Sequence, residues 1–147
     1  MSNFQPFDTG LIEQRLRQLV PALREVGGAA QYAAVQDLRG FAPPCAYVIF
    51  AGEEGSNAPC PRGARVQPAV ARFGIALAVR NYRPGLGDQL APELRELIGQ
   101  TRAALIGWLP PVPGAAPLAW EGGAVMDYDN ATVLYVETYQ LTHLLQR

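Results

Sequence analysis

The segment from Ala64 to Tyr82 constrains the fold more than any other part of the chain. Phe73, Ile75, Leu77 and Val79 recur at every second position, with Arg72, Gly74, Ala76, Ala78 and Arg80 between them. A period of two sends alternate side chains to opposite faces of a strand. One face is large and apolar, and calls for a covering layer of helices. The other is small, flat and edged by charge, so a second backbone or subunit can approach it closely. Pro68 lies early in this run and lacks a backbone N–H, so an edge position or a bulge is expected there.

Helical spacing brackets this strand. Ile12, Leu16, Leu19, Val20, Leu23 and Val26 recur at intervals of three and four, predicting a helix over Thr9–Val26. Asp8 and Thr9 offer capping oxygens, Gly27-Gly28 a stop, and Pro21 a kink. Leu90, Leu94, Leu97, Ile98, Thr101 and Leu105 predict a second helix over Gln89–Ile106, with Asp88 as a cap, Pro92 in the first turn and Gly107 after the end.

Further strands complete the pattern. The short alanine-rich segment Ala29–Val35 follows a double glycine and reads as a strand, as does Cys45–Ala51 after Pro43-Pro44. Gly52–Gly63 reads as a long polar loop. After the proline-rich connector Trp108–Pro117, a hairpin is expected. Pro117–Met126 forms one arm, with a bulge near Gly122-Gly123, the turn falls at Asp129-Asn130, and Thr132–Thr142 returns. The expected order is α-β-β-β-α-β-β. It describes an α+β fold, a mostly antiparallel sheet with two main helices on one face and a single domain over residues 1–147.

Chemistry is harder to find. His143 is the one histidine, near the chain end in a strand-like run, and a solvated or interface position fits it better than a catalytic base. Gly-x-Ser-x-Gly is absent. Asp127-Tyr128-Asp129-Asn130 resembles the start of a calcium loop, but Thr132 and Thr138 stand where a glycine and a closing glutamate are needed. Gly85-Leu86-Gly87 precedes a helix and reads as a tight turn rather than an anion site. Cys45, Cys60 and His143 cannot make a four-ligand zinc site by themselves, and the cysteines are expected to be reduced. No cofactor, metal or catalytic residue is expected.

Charge adds a clue about partners. Charged residues are 17% of the chain and the net charge is −1, against about 25% charged in an ordinary soluble domain. No strong field favours nucleic acid or anionic lipid. Charge-poor surface suits protein contacts, whose cores are depleted in charge. No run approaches the roughly 20 apolar residues of a membrane span, and Met1–Pro6 has neither the basic region nor the apolar core of a secretory leader.

Several strings in their order carry a resemblance. They are Arg15-Leu16-Arg17 and Val20–Ala29, Tyr47-Val48-Ile49 after Pro43-Pro44, and Arg72-Phe73-Gly74-Ile75 through Val79-Arg80-Asn81. Leu105-Ile106-Gly107-Trp108-Leu109-Pro110, Pro117-Leu118 and Gly122-Gly123 complete the set. Together they resemble the tail terminator-like proteins of long-tailed phages, the Mu-type group, over nearly the whole chain. The resemblance implies a structural virion protein without enzymatic activity, assembled in the host cytoplasm and placed at the head-proximal end of the tail. It implies a homo-oligomeric ring, commonly a hexamer, that caps the tail tube, ends its growth and offers the head-joining surface. The implied partners are copies of itself, the tail tube protein and a head-completion protein, with DNA passing through the lumen ungripped. A head–tail connector or tail-completion adaptor of similar fold, or a small ligand-binding module, are the alternatives.

Interface residues follow from this sequence alone. The segment from Glu53 to Arg65, with Glu54 and Arg62, is expected to touch the tube or a neighbouring subunit. Arg72 and Arg80 are expected to pair with acids across subunits.

Overall fold

The computed structural model describes residues 4–57, 65–80, 92–129 and 131–146. Helix α1 spans Gly10–Leu19, strand β1 Glu25–Gly28 and helix α2 Ala29–Ala34. A 3-10 turn at Leu38–Gly40 leads to β2, Cys45–Gly55. Strand β3 is Val66–Arg80, helix α3 Pro92–Leu105, β4 Ala119–Tyr128 and β5 Thr132–Gln146. The sheet order is β1-β2-β3-β5-β4. All neighbours are antiparallel except β1 and β2, which are parallel. The fold is α+β with two main helices, as the alternating and helical periods predicted.

The period-two strand organises the rest. Phe73, Ile75, Leu77 and Val79 of β3 face the same side as Tyr135, Tyr139 and Leu141 of β5. Ile12, Leu16 and Val20 from the α1 end, with Leu94, Leu97, Ile98 and Leu105 of α3, cover that side and are buried. Phe73 lies between two rings, stacked on Phe7 at 6.2 Å and on Tyr139 at 5.6 Å between centroids. Among the described residues, the small face is covered at one end, where Tyr32, Leu38 and Phe41 pack on Cys45, Tyr47, Ala76, Ala78 and Leu134.

The first helix is shorter than its periodicity suggests. It stops at Leu19, and Pro21 ends it rather than kinking it. A proline ring clashes with the carbonyl one turn back, and here no longer-range contact overrides that clash. Val20 stays buried, and Leu23 and Val26 still pack on the core from the turn and β1. Asp8 rather than Thr9 supplies the end cap, its Oδ1 accepting the Gly10 N–H at 2.8 Å.

The predicted strand Ala29–Val35 is instead helix α2. Alanine's helix preference prevails, helped by the Gln31 side-chain oxygen, which accepts the Gly28 N–H at 2.9 Å. The strand sits just upstream, at Glu25–Gly28, where a double glycine had suggested only a stop. Gly27 fits tightly there, since a Cβ would lie 3.1 Å from Gln31 and 3.2 Å from Tyr47 and would push those side chains aside.

Pro68 is neither on an edge nor in a bulge. It sits in β3, between β2 and β5, and the β3–β5 register is unbroken through it. Its carbonyl accepts the Ser56 N–H at 2.9 Å. The donor that proline lacks is replaced by Gln67, whose Nε2 reaches Ser56 O at 3.3 Å and Pro68 O at 2.8 Å. A neighbouring side chain thus satisfies the carbonyl that would otherwise be orphaned.

The second half follows its turn chemistry. Helix α3 ends at Leu105 and Gly107 takes φ +80°, the left-handed stop expected of it. Residues 89–91 and Asp88 lie outside the described residues. The connector is held by Leu118 N to Trp108 O and Gly107 N to Leu118 O, both 2.9 Å. Gly114 in the connector has φ +64°, and a Cβ there would lie 2.3 Å from Leu144 Cγ. Gly114→Ala combines backbone strain with a steric clash, so a loss of about 1–3 kcal/mol is expected in urea unfolding.

Candidate functional site: an edge strand and its buried anchor

Strand β4 is the outermost strand of the sheet beyond β5, and nine of its ten residues are exposed. It departs from plain alternation through bulges at Trp120/Gly122 and Val125/Asp127. The first adjoins the glycine pair where a bulge was expected. Bulges add a residue and twist to an edge. Trp120 and Val125 are each 43% exposed, Met126 64% and Tyr128 71%. The edge strand presents four large exposed apolar residues and no lysine or proline, with its two bulges, Glu121 and Asp127 as the features that limit pairing with another chain.

The inner side of β4 is anchored by a buried carboxylate. Glu137 of β5 is fully buried. It accepts two hydrogen bonds from Arg102 of α3, from Nε at 3.0 Å and from Nη2 at 2.7 Å. The Trp120 indole N–H donates to its other oxygen. The Arg102 guanidinium also lies over the Trp120 ring, 4.7 Å from its centroid, and donates to the Tyr135 hydroxyl at 3.4 Å. Hydrogen bonding to Glu137 pushes the Arg102 pKa further up, so the cation is permanent. Gly123 makes room for this cluster, because a Cβ there would lie 2.3 Å from Tyr135 Oη and 2.8 Å from Glu137 Oε1. One carboxylate thereby joins α3, β5 and β4, and holds Trp120 by its indole N–H.

Glu137 was missed from the sequence. It interrupts the apolar face of Val133, Tyr135, Tyr139 and Leu141 at the position where a hydrophobic residue belongs. A carboxylate in the middle of a period-two apolar stripe was the available signal.

A second buried pair lies at the other end of β5. His143 is 4% exposed, so it is neither solvated nor at an open surface. Its Nε2 is 3.2 Å from Glu53 Oε1, and the Phe7 N–H donates to Glu53 Oε2 at 3.1 Å. The Phe7 ring meets the His143 ring edge-on at 6.1 Å. The pair ties the N-terminal segment to β2 and β5. It faces the packed side of the sheet, and its third polar contact is the Phe7 backbone N–H, not a nucleophile.

The remaining expected interface residues are dispersed. Glu53 is in that inner pair. Glu54 and Glu121 both bind Arg72, at 2.5 and 3.1 Å, across the small face of the sheet. Arg72 is therefore neutralised within its own chain. Exposed pairs of this kind orient side chains more than they stabilise a fold. Arg80 is exposed, with no hydrogen bond or ion pair among the described residues. Arg65 is exposed and its guanidinium is 5.6 Å from the Phe4 ring centroid. Arg62, Cys60 and Gly85-Leu86-Gly87 lie outside the described residues. The polar loop is shorter than expected, because β2 continues through Gly55.

Other candidate chemistry has structural explanations. Asp129 Oδ1 accepts the N–H groups of Ala131 and Thr132, both at 2.7 Å, and closes the hairpin turn. Those bonds hold its carboxyl below the usual aspartate range. Their contribution is therefore complete above the unfolded pKa and is lost as pH falls through the lower folded value. Cys45 is buried, and burial pushes its thiol pKa up, away from nucleophile behaviour. No group of three metal-ligating side chains occurs among the described residues. The Tyr139 hydroxyl is buried near the Glu137 carboxylate and makes no hydrogen bond of normal geometry among the described residues. A buried unpaired hydroxyl costs about 1–3 kcal/mol, so Tyr139→Phe is expected to raise stability by about 1 kcal/mol, read as a higher urea midpoint.

Sequence missed one more tie. Arg15 of α1 donates to Ala104 O near the C-terminus of α3 at 2.5 Å, and stacks over Trp108 at 4.6 Å. A cation at a helix C-terminus meets unpaired carbonyls and the negative end of the dipole.

The prominent surface is thus an anchored apolar edge, and the buried polar groups serve to position it. Comparison with known proteins agrees with a role in assembly. A search of curated proteins finds no match. The family model for the phage tail terminator protein matches residues 2–147. The chain belongs to the phage tail terminator family and is a structural, non-enzymatic component of the phage tail.

Proposed function

We propose that this protein forms a ring, a hexamer in the manner of Mu-type terminators, on the head-proximal end of the tail tube. There it ends tube polymerisation and presents the surface to which a head-completion protein joins. The whole chain acts as one domain in this reading. Family membership over residues 2–147 carries it. The exposed apolar strand β4 supports it, because a subunit of a closed assembly needs surface to bury against its neighbours.

DNA passes through the lumen without specific binding. The net charge of −1 supports this, since a basic lining would hold phosphate. The acids and arginines singled out earlier divide into two groups. Glu53, Glu54 and Arg72 are engaged inside the subunit. Arg62, Arg65 and Arg80 are proposed to meet neighbouring subunits or the tube.

Electron microscopy of particles made without this protein tests the reading. Free heads beside overlong tails are expected. Normal heads on tails of normal length would reject it.

A further inference from the structure

We infer that subunits join edge to edge, with β4 of one copy adding as a strand to the open half of β2 in the next. The inference rests on the ring reading and specifies its contact. The sheet has two edges, and each has an unpaired stretch among the described residues. On one side, β4 is open along its length. On the other, β1 covers only Cys45–Val48, so β2 is open from Ile49 to Gly55.

The backbone geometry suits this pairing. Along the sheet, β2, β3, β5 and β4 alternate in direction. Strands β4 and β2 therefore run oppositely, and two copies placed the same way up bring them together antiparallel. Ser56 N bonds to Pro68 O. By the alternation of an antiparallel ladder, the N–H and C=O groups of Glu53 and Gly55 then point away from β3. Asp129 N bonds to Thr132 O, so by the same alternation those of Tyr128 point away from β5. Glu53 and Gly55 on β2 and Tyr128 on β4 thus offer groups a strand–strand seam requires, and the bulges at Trp120/Gly122 and Val125/Asp127 confine regular pairing to short stretches of β4.

The side chains agree in face. Phe50, 40% exposed, pairs with Phe73, and so lies on the helix-covered side of β2. Trp120, Val125 and Tyr128 pair with Tyr139, Tyr135 and Val133, and lie on that same side of β4. Same-way-up pairing brings these exposed apolar groups onto one side of the seam. The contact uses two different surfaces of each copy, which is the arrangement that generates rings. A two-fold β4–β4 contact would also be antiparallel, but would close at a dimer and leave β2 unused.

The test separates these arrangements. Phe50→Asp blocks the β2 edge and Val125→Asp the β4 edge, each at an exposed position, with Met126→Asp as a second β4 block. Circular dichroism establishes that each variant is folded. Sedimentation velocity of the full chain, from micromolar to millimolar, is expected to show concentration-dependent association of the wild type. Each blocked variant alone is expected to associate at least about tenfold more weakly, because the seam would bury a lone charge. A mixture of Phe50→Asp and Val125→Asp is expected to give a heterodimer, since one intact seam remains. Three results would each overturn the inference: a wild type that stays monomeric throughout, Phe50→Asp associating like wild type, or no heterodimer on mixing. Supplying each variant to particles lacking the protein keeps the two readings apart. If wild type corrects overlong tails and blocked variants do so equally well, the seam fails and the terminator reading stands.

Discussion

Glu137→Ala is expected to lower the unfolding free energy by about 2–4 kcal/mol, because it removes a fully buried carboxylate that accepts charge-assisted hydrogen bonds, while the Arg102 side chain left behind is 36% exposed and partly rehydrates. At about 2–4 °C per kcal/mol for a chain of this size, that is a fall of roughly 10 °C in Tm. The reason is the number of donors that converge on one carboxylate. Arg102 gives it two hydrogen bonds and Trp120 a third. Alanine leaves the indole N–H and one side of the guanidinium without an acceptor beneath β4. Glu137→Gln retains an acceptor but turns an amide donor toward other donors, so a smaller loss is expected. A double-mutant cycle with Arg102→Ala should give a coupling of about 0.5–3 kcal/mol. Additive losses, or a Glu137→Ala cost below about 1 kcal/mol, would show that the cluster does not hold α3 to the hairpin. The Trp120 emission spectrum supplies a second readout, since the ring should shift toward a water-like spectrum when its anchor is lost.

Phe73→Ala is expected to cost a similar amount, about 3–5 kcal/mol, for a different reason. The ring is fully buried and lies between Phe7 and Tyr139. Truncation removes the transfer energy of the ring and leaves a void that strand geometry prevents from collapsing. Phe7 belongs to the segment before α1, and its ring has lost the surface on which it stacks. Urea unfolding followed by circular dichroism measures the loss. Phe73→Leu, which refills most of the volume, should recover more than half of it. A fully stable Phe73→Ala would mean that the stack contributes little.

The two substitutions also mark what could be read from sequence. Phe73 was legible because it belongs to a period-two stripe, and such stripes report which face of a strand is buried. The same periodicity located β5, both main helices and the antiparallel sheet. Local signals failed where they competed. Alanine preference and a double glycine gave opposite readings around residue 29, and the helix won. Pro68 points to an edge in sequence because the compensating donor, Gln67, matters only once Ser56 lies beside it in the folded chain.

The candidate site was less legible than the fold. Exposure of β4 depends on which strand lies at the edge, and strand order is a property of the whole chain. Glu137 and His143 were present as departures from an apolar pattern, yet their partners stand 35 and 90 residues away in sequence. Arg72 reads from sequence as a contact outside the subunit, yet Glu54 and Glu121 of its own sheet both pair with it. A charged residue on a flat strand face does not disclose from sequence whether the matching charge is supplied by its own chain.

The short parallel strand β1 has one more effect. By occupying the first four positions of β2, it acts as a mechanical stop. An incoming strand can slide along that edge only as far as Ile49 before it meets β1. Lateral freedom is thereby limited to a few residues, and a slip of one residue would turn an apolar side chain to the wrong face.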